Sequence, residues 1–264
     1  WKMIILLFAG GFLVTGSANA INQTVEKDTD AMMKRTAKRP VASGRMSAAE
    51  GWAFAIITGL TGVAILGLYF NWLSAGVAAF SLFLYAFIYT PMKKKAAVAV
   101  FVGAFPGALP CLIGWTAATG LFWPFENLVV NGESYSNLGG WVLFVIQFLW
   151  QFPHFWAIAW VAHKDYSTAG FKLLPSEAGP TKFTALQTII YSFLLLPIGI
   201  LPYFIGMSGI TGIIVVTAAN VFLIIQCFRL YKNMDVASAR RVMFSSYIHL
   251  PVVLLALLAD KVQA

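Results

Sequence analysis

Residues 3–30, MIILLFAGGFLVTGSANAINQTVEKDTD, decide the fold class. The stretch begins with about 20 residues free of charge, the length an α-helix needs to cross the hydrocarbon core of a bilayer. It ends in Asn19, Asn22, Glu26 and Asp30, spaced by three, four and four positions. At 3.6 residues per turn, that spacing lines all four along one face of a single helix leaving the membrane. Polar groups at membrane depth are costly unless they meet water, a partner or a ligand. Two carboxylates one turn apart also repel each other. A divalent cation shared with an anionic substrate removes both conflicts, and Mg²⁺ takes one or two carboxylates together with phosphate oxygens and waters. The plainer alternative is a hydrated helix end in which Glu26, Asp28 and Asp30 balance Lys27 and Lys34. Asn19 and Asn22, deeper in the stripe, weigh against it.

Seven more apolar runs follow, at about 48–69, 73–91, 97–115, 141–162, 183–202, 208–228 and 242–259. Hydrophobic residues make up 59% of the chain and charged residues 11%, against about 45–50% and about 25% in an average soluble domain. Only a lipid solvent accommodates that much apolar surface. The sequence therefore predicts an all-α, polytopic transmembrane bundle of eight helices in one domain spanning residues 1–264. The run at 97–115 carries Pro106, Gly107 and Pro110 and is expected to be kinked or broken. Cys111 and Cys227 lie far apart in apolar segments and read as small buried hydrophobes.

Charge then orients the bundle. Of the 18 Lys and Arg residues, 16 fall in four connections, 23–47, 92–96, 163–182 and 229–241, which alternate with nearly neutral or acidic ones. Threading eight helices puts all four basic connections on one side, and the positive-inside rule makes that side cytoplasmic. The net charge of +8 is thus a topology signal and not a nucleic-acid footprint. The same threading leaves Trp1 and Ala264 outside. Together with a first residue that is not Met, it predicts that an upstream helix precedes this chain. Lys2, the apolar run to Val14 and Ser17-Ala18-Asn19-Ala20 imitate a cleavable secretory signal. Cleavage would separate Asn19 from Asn22, so the stripe argues against it.

Three further sets of residues belong with the stripe. Arg35 and Arg39 lie one turn apart if their segment is helical, and could hold a diphosphate or a carboxylate by paired hydrogen bonds. Tyr89-Thr90-Pro91-Met92-Lys93-Lys94-Lys95 brings a basic cluster to the same face, readable also as a topology signal alone. The fifth span contains Trp150-Gln151-Phe152-Pro153-His154-Phe155-Trp156 and ends at His163-Lys164-Asp165-Tyr166. His154 and Asp165, eleven positions apart, are expected on one helix face. An intramembrane His near Gln147 and Gln151 reads as a cavity wall, although a hydrogen-bonded core His is the commoner case.

Asn22-x-x-x-Glu26-x-x-x-Asp30 resembles the first acidic motif of the UbiA superfamily of intramembrane prenyltransferases. The segments Ser17–Gln23, Met33–Thr36 with Arg39-Pro40, Gly103–Pro110 with Gly114-Trp115 and Thr119-Gly120, Trp150–Phe155 with Asp165-Tyr166, and Phe244–Tyr247 are similar to its protoheme IX farnesyltransferase (heme O-forming) branch. The resemblance runs from residue 1 to about residue 247. It implies nine helices in the full-length protein and transfer of a farnesyl group from farnesyl diphosphate to a vinyl group of heme B. It implies Mg²⁺ on Asn22, Glu26 and Asp30, and catalytic roles for Asn19, Asn22, His154 and Asp165. Substrate contacts would come from Arg35, Arg39, Lys93, Lys164 and Tyr166. It also implies a bacterial inner membrane and a hand-off to heme A synthase or terminal-oxidase assembly. Glu26 stands where many members have Asp. Lys164-Asp165-Tyr166 stands where the superfamily has paired aspartates, so a second metal site is open. A quinone-ring or other aromatic acceptor on the same fold, a secondary transporter and a non-catalytic heme carrier are the alternatives. Trp150–Phe155 with His154 speaks against the first, and the lack of a convincing internal repeat against the second.

Overall fold

The computed structural model describes residues 1–130, 132–176 and 178–262; Ala264, placed outside by the threading, lies beyond them. In chain order the elements are α1 (Lys2–Val25), α2 (Lys27–Met32), α3 (Ala48–Tyr69), α4 (Trp72–Phe83), a π-helical turn (Leu84–Tyr89), α5 (Thr90–Met92) and α6 (Ala99–Thr119). They continue with β1 (Asn127–Val130), β2 (Glu133–Ser136), α7 (Leu138–Val161), α8 (His163–Thr168), α9 (Lys182–Phe204), α10 (Ile210–Asn233) and α11 (Val236–Ala259). Among the described residues, eight helical stretches are long and apolar enough to cross a membrane, with α4 to α5 counting as one. They correspond to the eight expected runs, and the chain is a multi-pass integral membrane protein. Phe8, Phe12, Leu60, Leu68, Ile214 and Leu255 turn outward and are mostly exposed, as lipid-facing side chains are.

The helices begin where local chemistry predicts. Ser47 caps α3 with a reciprocal box: its Oγ accepts from Glu50 N–H at 3.2 Å and Glu50 Oε2 accepts from Ser47 N–H at 2.8 Å. Asn71, Thr181 and Asp235 cap α4, α9 and α11 one way, their side chains accepting from the N–H groups of Ser74, Thr184 and Ser238. The run with Pro106 and Pro110 is one continuous helix, α6, and is not broken. Pro110 cannot donate to the carbonyl of Pro106, and Ser81 Oγ donates to that carbonyl instead at 3.2 Å. One element was not anticipated: the acidic connection carries a small antiparallel hairpin, with Asn127 paired to Ser136.

The chain packs as two compact units. The first comprises Trp1–Gly120 with Lys164–Leu173. Here α1 lies along α3, which packs on α4, which packs on α6. The α1–α3 contact is close because Gly62 faces Gly10 and Val14: a Cβ on Gly62 would come within 2.8 Å of the Gly10 carbonyl. The second unit comprises Leu121–His163 and the described residues from Leu174 onward. In it α7, α9, α10 and α11 surround Ile146, Leu149, Leu195, Leu223, Leu230 and Val253.

Candidate active site

The stripe does not ride on one helix. α1 ends at Val25, and Glu26 leaves the helical region at φ −97°, ψ 16° before α2 begins. The hydrogen-bond ladder nevertheless continues across the break, from Glu26 N–H to the Asn22 carbonyl at 2.9 Å and from Asp30 N–H to the Glu26 carbonyl at 2.7 Å. That retained spacing keeps Asn22, Glu26 and Asp30 buried together with their elements. Asn19 differs: it is exposed, and no side-chain hydrogen bond joins it to the cluster among the described residues.

Buried acids in a membrane protein need counter-charges, and each of these two has one. Asp30 is fully buried, and a single guanidinium nitrogen of Arg39, Nη1, donates to both its oxygens at 2.8 and 3.0 Å. Glu26 Oε1 lies 3.1 Å from Lys93 Nζ without a hydrogen-bonding geometry, and Lys93 donates to Asn22 Oδ1. Lys93 is itself 7% exposed. Burial lowers its pKa, and the Glu26 carboxylate opposes that shift.

Lys93 is delivered by the π-helical turn. Pro91 cannot donate to the Phe87 carbonyl, and its ring crowds that carbonyl, so the turn widens. Thr90 Oγ1 reaches back five positions to the Tyr85 carbonyl at 2.8 Å. Tyr85 and Tyr89 then present their rings to the ammonium, with centroids 5.7 and 4.7 Å from Nζ. Gly103 makes room for the second ring, since a Cβ there would sit 2.5 Å from Tyr89 Cε2. The tract from Tyr89 to Lys95 pointed to neither Tyr85 nor the role of the two rings, although Tyr85-x-x-x-Tyr89-x-x-x-Lys93 repeats the four-residue step of the acidic stripe.

The expected helical Arg pair is absent. Residues 33–39 run as successive turns, with Thr36 Oγ1 donating to the Asp30 carbonyl at 2.9 Å. The two arginines consequently diverge. Arg39 goes to Asp30, while Arg35 Nη2 donates to the Tyr166 hydroxyl at 2.9 Å. Lys94 Nζ donates to Thr29 Oγ1 at 2.6 Å. Segment 164–173 is anchored to this unit by Lys172 N–H donating to the Lys93 carbonyl at 2.9 Å. Burial raises the pKa of Tyr166, with Arg35 and Arg39 acting against it. Lys164 is exposed, and Asp165 is half-buried in the first turn of α8 with no ion pair among the described residues. His154 and Asp165 do not share a helix face, because α7 ends at Val161 and Ala162 breaks the helical course at φ −98°, ψ 18°.

Whether a hard cation suits this cluster depends on its donors. Among the described residues, no three His, Cys, Asp or Glu side chains form a metal-ready group. The predicted set is instead one amide oxygen and two carboxylates, all oxygen donors of the kind Mg²⁺ takes. Glu26 Oε1 is buried and accepts no hydrogen bond. That oxygen, paired with the Lys93 ammonium by charge alone, is where a cation fits.

The second unit has its own polar seam. His154 stacks on Trp150 at 4.5 Å between centroids and meets the edge of Tyr247 at 5.0 Å. Ser246 Oγ donates its one hydrogen to the Met243 carbonyl at 2.6 Å, so it must accept from His154 Nδ1–H at 2.8 Å. In the neutral ring the lone pair then sits on Nε2, which makes no hydrogen bond among the described residues. Trp150 Nε1–H donates to the Ser246 carbonyl at 2.9 Å and fixes the stacked ring.

Residues 1–248 match the UbiA prenyltransferase family. The chain is similar to the protoheme IX farnesyltransferase of Cytophaga hutchinsonii, 42% identical over 99% of this chain and 87% of the relative. It is also similar to that of Flavobacterium johnsoniae, 40% identical over 99% and 83%. The mitochondrial protoheme IX farnesyltransferase of Arabidopsis thaliana is 34% identical over 96% of this chain and 56% of its own length. Two solved structures share the fold. One is of a digeranylgeranylglyceryl phosphate synthase, with a TM-score of 0.75, 20% identity and coverage of 98% and 85%. The other is a UbiA homolog from Aeropyrum pernix K1, with a TM-score of 0.67, 20% identity and coverage of 97% and 87%. With the matched region spanning both compact units, the chain belongs to the UbiA prenyltransferase family.

Proposed function

We propose that this protein transfers a farnesyl group from farnesyl diphosphate to a vinyl carbon of heme B, with water supplying a hydroxyl, to form heme O. The substrate assignment is carried by near-full-length similarity to proteins bearing that activity in their name. The buried cluster of Asn22, Glu26, Asp30, Arg39 and Lys93 supports the chemistry, because it gathers both signs of charge where a diphosphate must be held and released.

Asn22, Glu26 and Asp30 would hold Mg²⁺. When bound, that ion neutralises charge growing on the departing diphosphate. Arg35, Arg39, Lys93 and Lys94 supply the cationic donors for its oxygens. The guanidinium groups grip bidentately and the ammonium groups act as point charges. Tyr85 and Tyr89 wall the buried side of Lys93 and limit its water, which strengthens each electrostatic contact there. His154 offers Nε2 to the acceptor substrate, oriented by Ser246 and Trp150. The basic connections face the cytoplasm of a bacterial inner membrane in this reading.

Incubating the purified protein with heme B, farnesyl diphosphate and Mg²⁺ should yield heme O, identified by mass. Asp30→Ala should abolish it. Absence of product from the unmodified protein, or full product from the variant, overturns the proposal.

A further inference from the structure

Lys93 occupies the place where the metal is expected. Its Nζ is bonded to Asn22 Oδ1 and paired with Glu26 Oε1 at 3.1 Å. These are two of the three donors assigned above to Mg²⁺. Two cations cannot share them, since a divalent ion and an ammonium a few ångströms apart repel strongly in a buried site. The lysine stem is a flexible four-carbon chain with three rotatable donors. It leaves the helix just past Met92, so the ammonium can swing away without moving α1. The rings of Tyr85 and Tyr89 attract a cation but offer it no oxygen acceptor other than their hydroxyls.

We propose that Lys93 is a tethered stand-in for the divalent cation. Without metal, its ammonium compensates Glu26 and holds Asn22. Metal binding displaces it, and the released ammonium becomes a donor to the diphosphate that enters with the metal. The inference rests on reading Asn22, Glu26 and Asp30 as metal ligands. It explains how Glu26 stays buried before substrate arrives, as Arg39 does for Asp30. It also makes metal and diphosphate bind cooperatively, because the metal frees the ammonium that the diphosphate then takes up.

The test uses the purified full chain and Mn²⁺ alone, with free Mn²⁺ read by electron paramagnetic resonance. Lys93→Met removes the ammonium at matched length. Its Mn²⁺ affinity should exceed that of the unmodified protein by about 5- to 150-fold, the usual span of coupling between sites. The gain that methylenediphosphonate confers on Mn²⁺ binding should shrink in the variant. Lys93→Met should also melt at a lower temperature without metal, and Mn²⁺ should restore the loss. A merely structural lysine would lower the melt with no such restoration. Unchanged or weaker Mn²⁺ binding by a folded Lys93→Met overturns the inference, and Lys93→Gln serves in its place if the first variant does not fold. Glu26→Gln separates the two readings. If it leaves Mn²⁺ binding with methylenediphosphonate intact, the stripe is not the metal site. If it removes binding while Lys93→Met shows no gain, only the displacement fails.

Discussion

The two compact units bury polar groups in different ways. The first buries neutral groups too, but it also holds charged ones matched charge for charge, Asp30 with Arg39 and Glu26 with Lys93. In the second the buried groups are neutral and chained by hydrogen bonds. Examples are His154 to Ser246 to the Met243 carbonyl, and His249 Nε2 to Asn220 Oδ1 at 2.7 Å, with Asn220 Nδ2 donating to the Leu195 carbonyl at 2.9 Å. Ion pairs can exchange partners when another ion arrives, whereas a directional chain holds a ring and its tautomer still. On the proposed reading, the first unit trades charges while the second presents one nitrogen in a fixed direction.

Breaking the trade should cost most. Arg39→Gln leaves Asp30 fully buried without its counter-charge, and heme O formation should fall by about 1,000-fold, as for loss of a donor that stabilises developing charge. Adding Asp30→Asn should recover the melting temperature lost in Arg39→Gln, because no buried charge is then left unpaired, without recovering product. Recovery of both would show that the pair serves only stability.

On the neutral side, His154→Ala should lower product formation by about 100-fold. Ser246→Ala, which removes the acceptor that orients Nδ1–H together with the bond to the Met243 carbonyl, should cost about ten-fold. Equal losses, measured under identical substrate saturation, would contradict the tautomer assignment. Asn220→Ala strips a partner from both His249 and the Leu195 carbonyl. Interhelical hydrogen bonds in membranes contribute little on average, so the loss should be about 1–2 kcal/mol in detergent unfolding, with activity kept. Smallest of all, Ser47→Ala removes the α3 cap and should cost about 1 kcal/mol, read as a modest drop in melting temperature.

Much of this was legible because a bilayer imposes strong local rules. Helix count and most boundaries follow from the length of apolar runs, but α10 runs five residues past 228 and α11 starts six before 242, so the basic 229–241 stretch is mostly helical. The four-residue step of Asn22, Glu26 and Asp30 survived as a hydrogen-bonded ladder. What was not legible was the break at Glu26, the turns at 33–39 and the partners. Lys93 is 71 positions from Asn22, and Ser246 is 92 from His154. No periodicity within one segment encodes a pairing across that distance. One helix face was expected to run from His154 to Asp165, past the end of the apolar run at 162, because nothing in composition marks the change of backbone course at Ala162. Lys93 itself was read as a substrate contact or a topology charge, since its pairing with the acidic stripe only exists once α1 and the π-helical turn are packed together.

The π-helical turn has a consequence for the chain's tolerance of length change. Six residues, Leu84–Tyr89, follow the wider winding. A π turn holds about one residue more than an α turn for nearly the same sweep. A one-residue deletion inside it can therefore be absorbed by reversion to ordinary α winding, with Lys93 still facing Asn22 and Glu26. A length change that the turn does not absorb would instead rotate everything downstream by about 100° and carry Lys93 away from its partners, still charged but out of phase. The wide turn acts as slack in the register, and a deletion there should do less damage than losing the lysine itself.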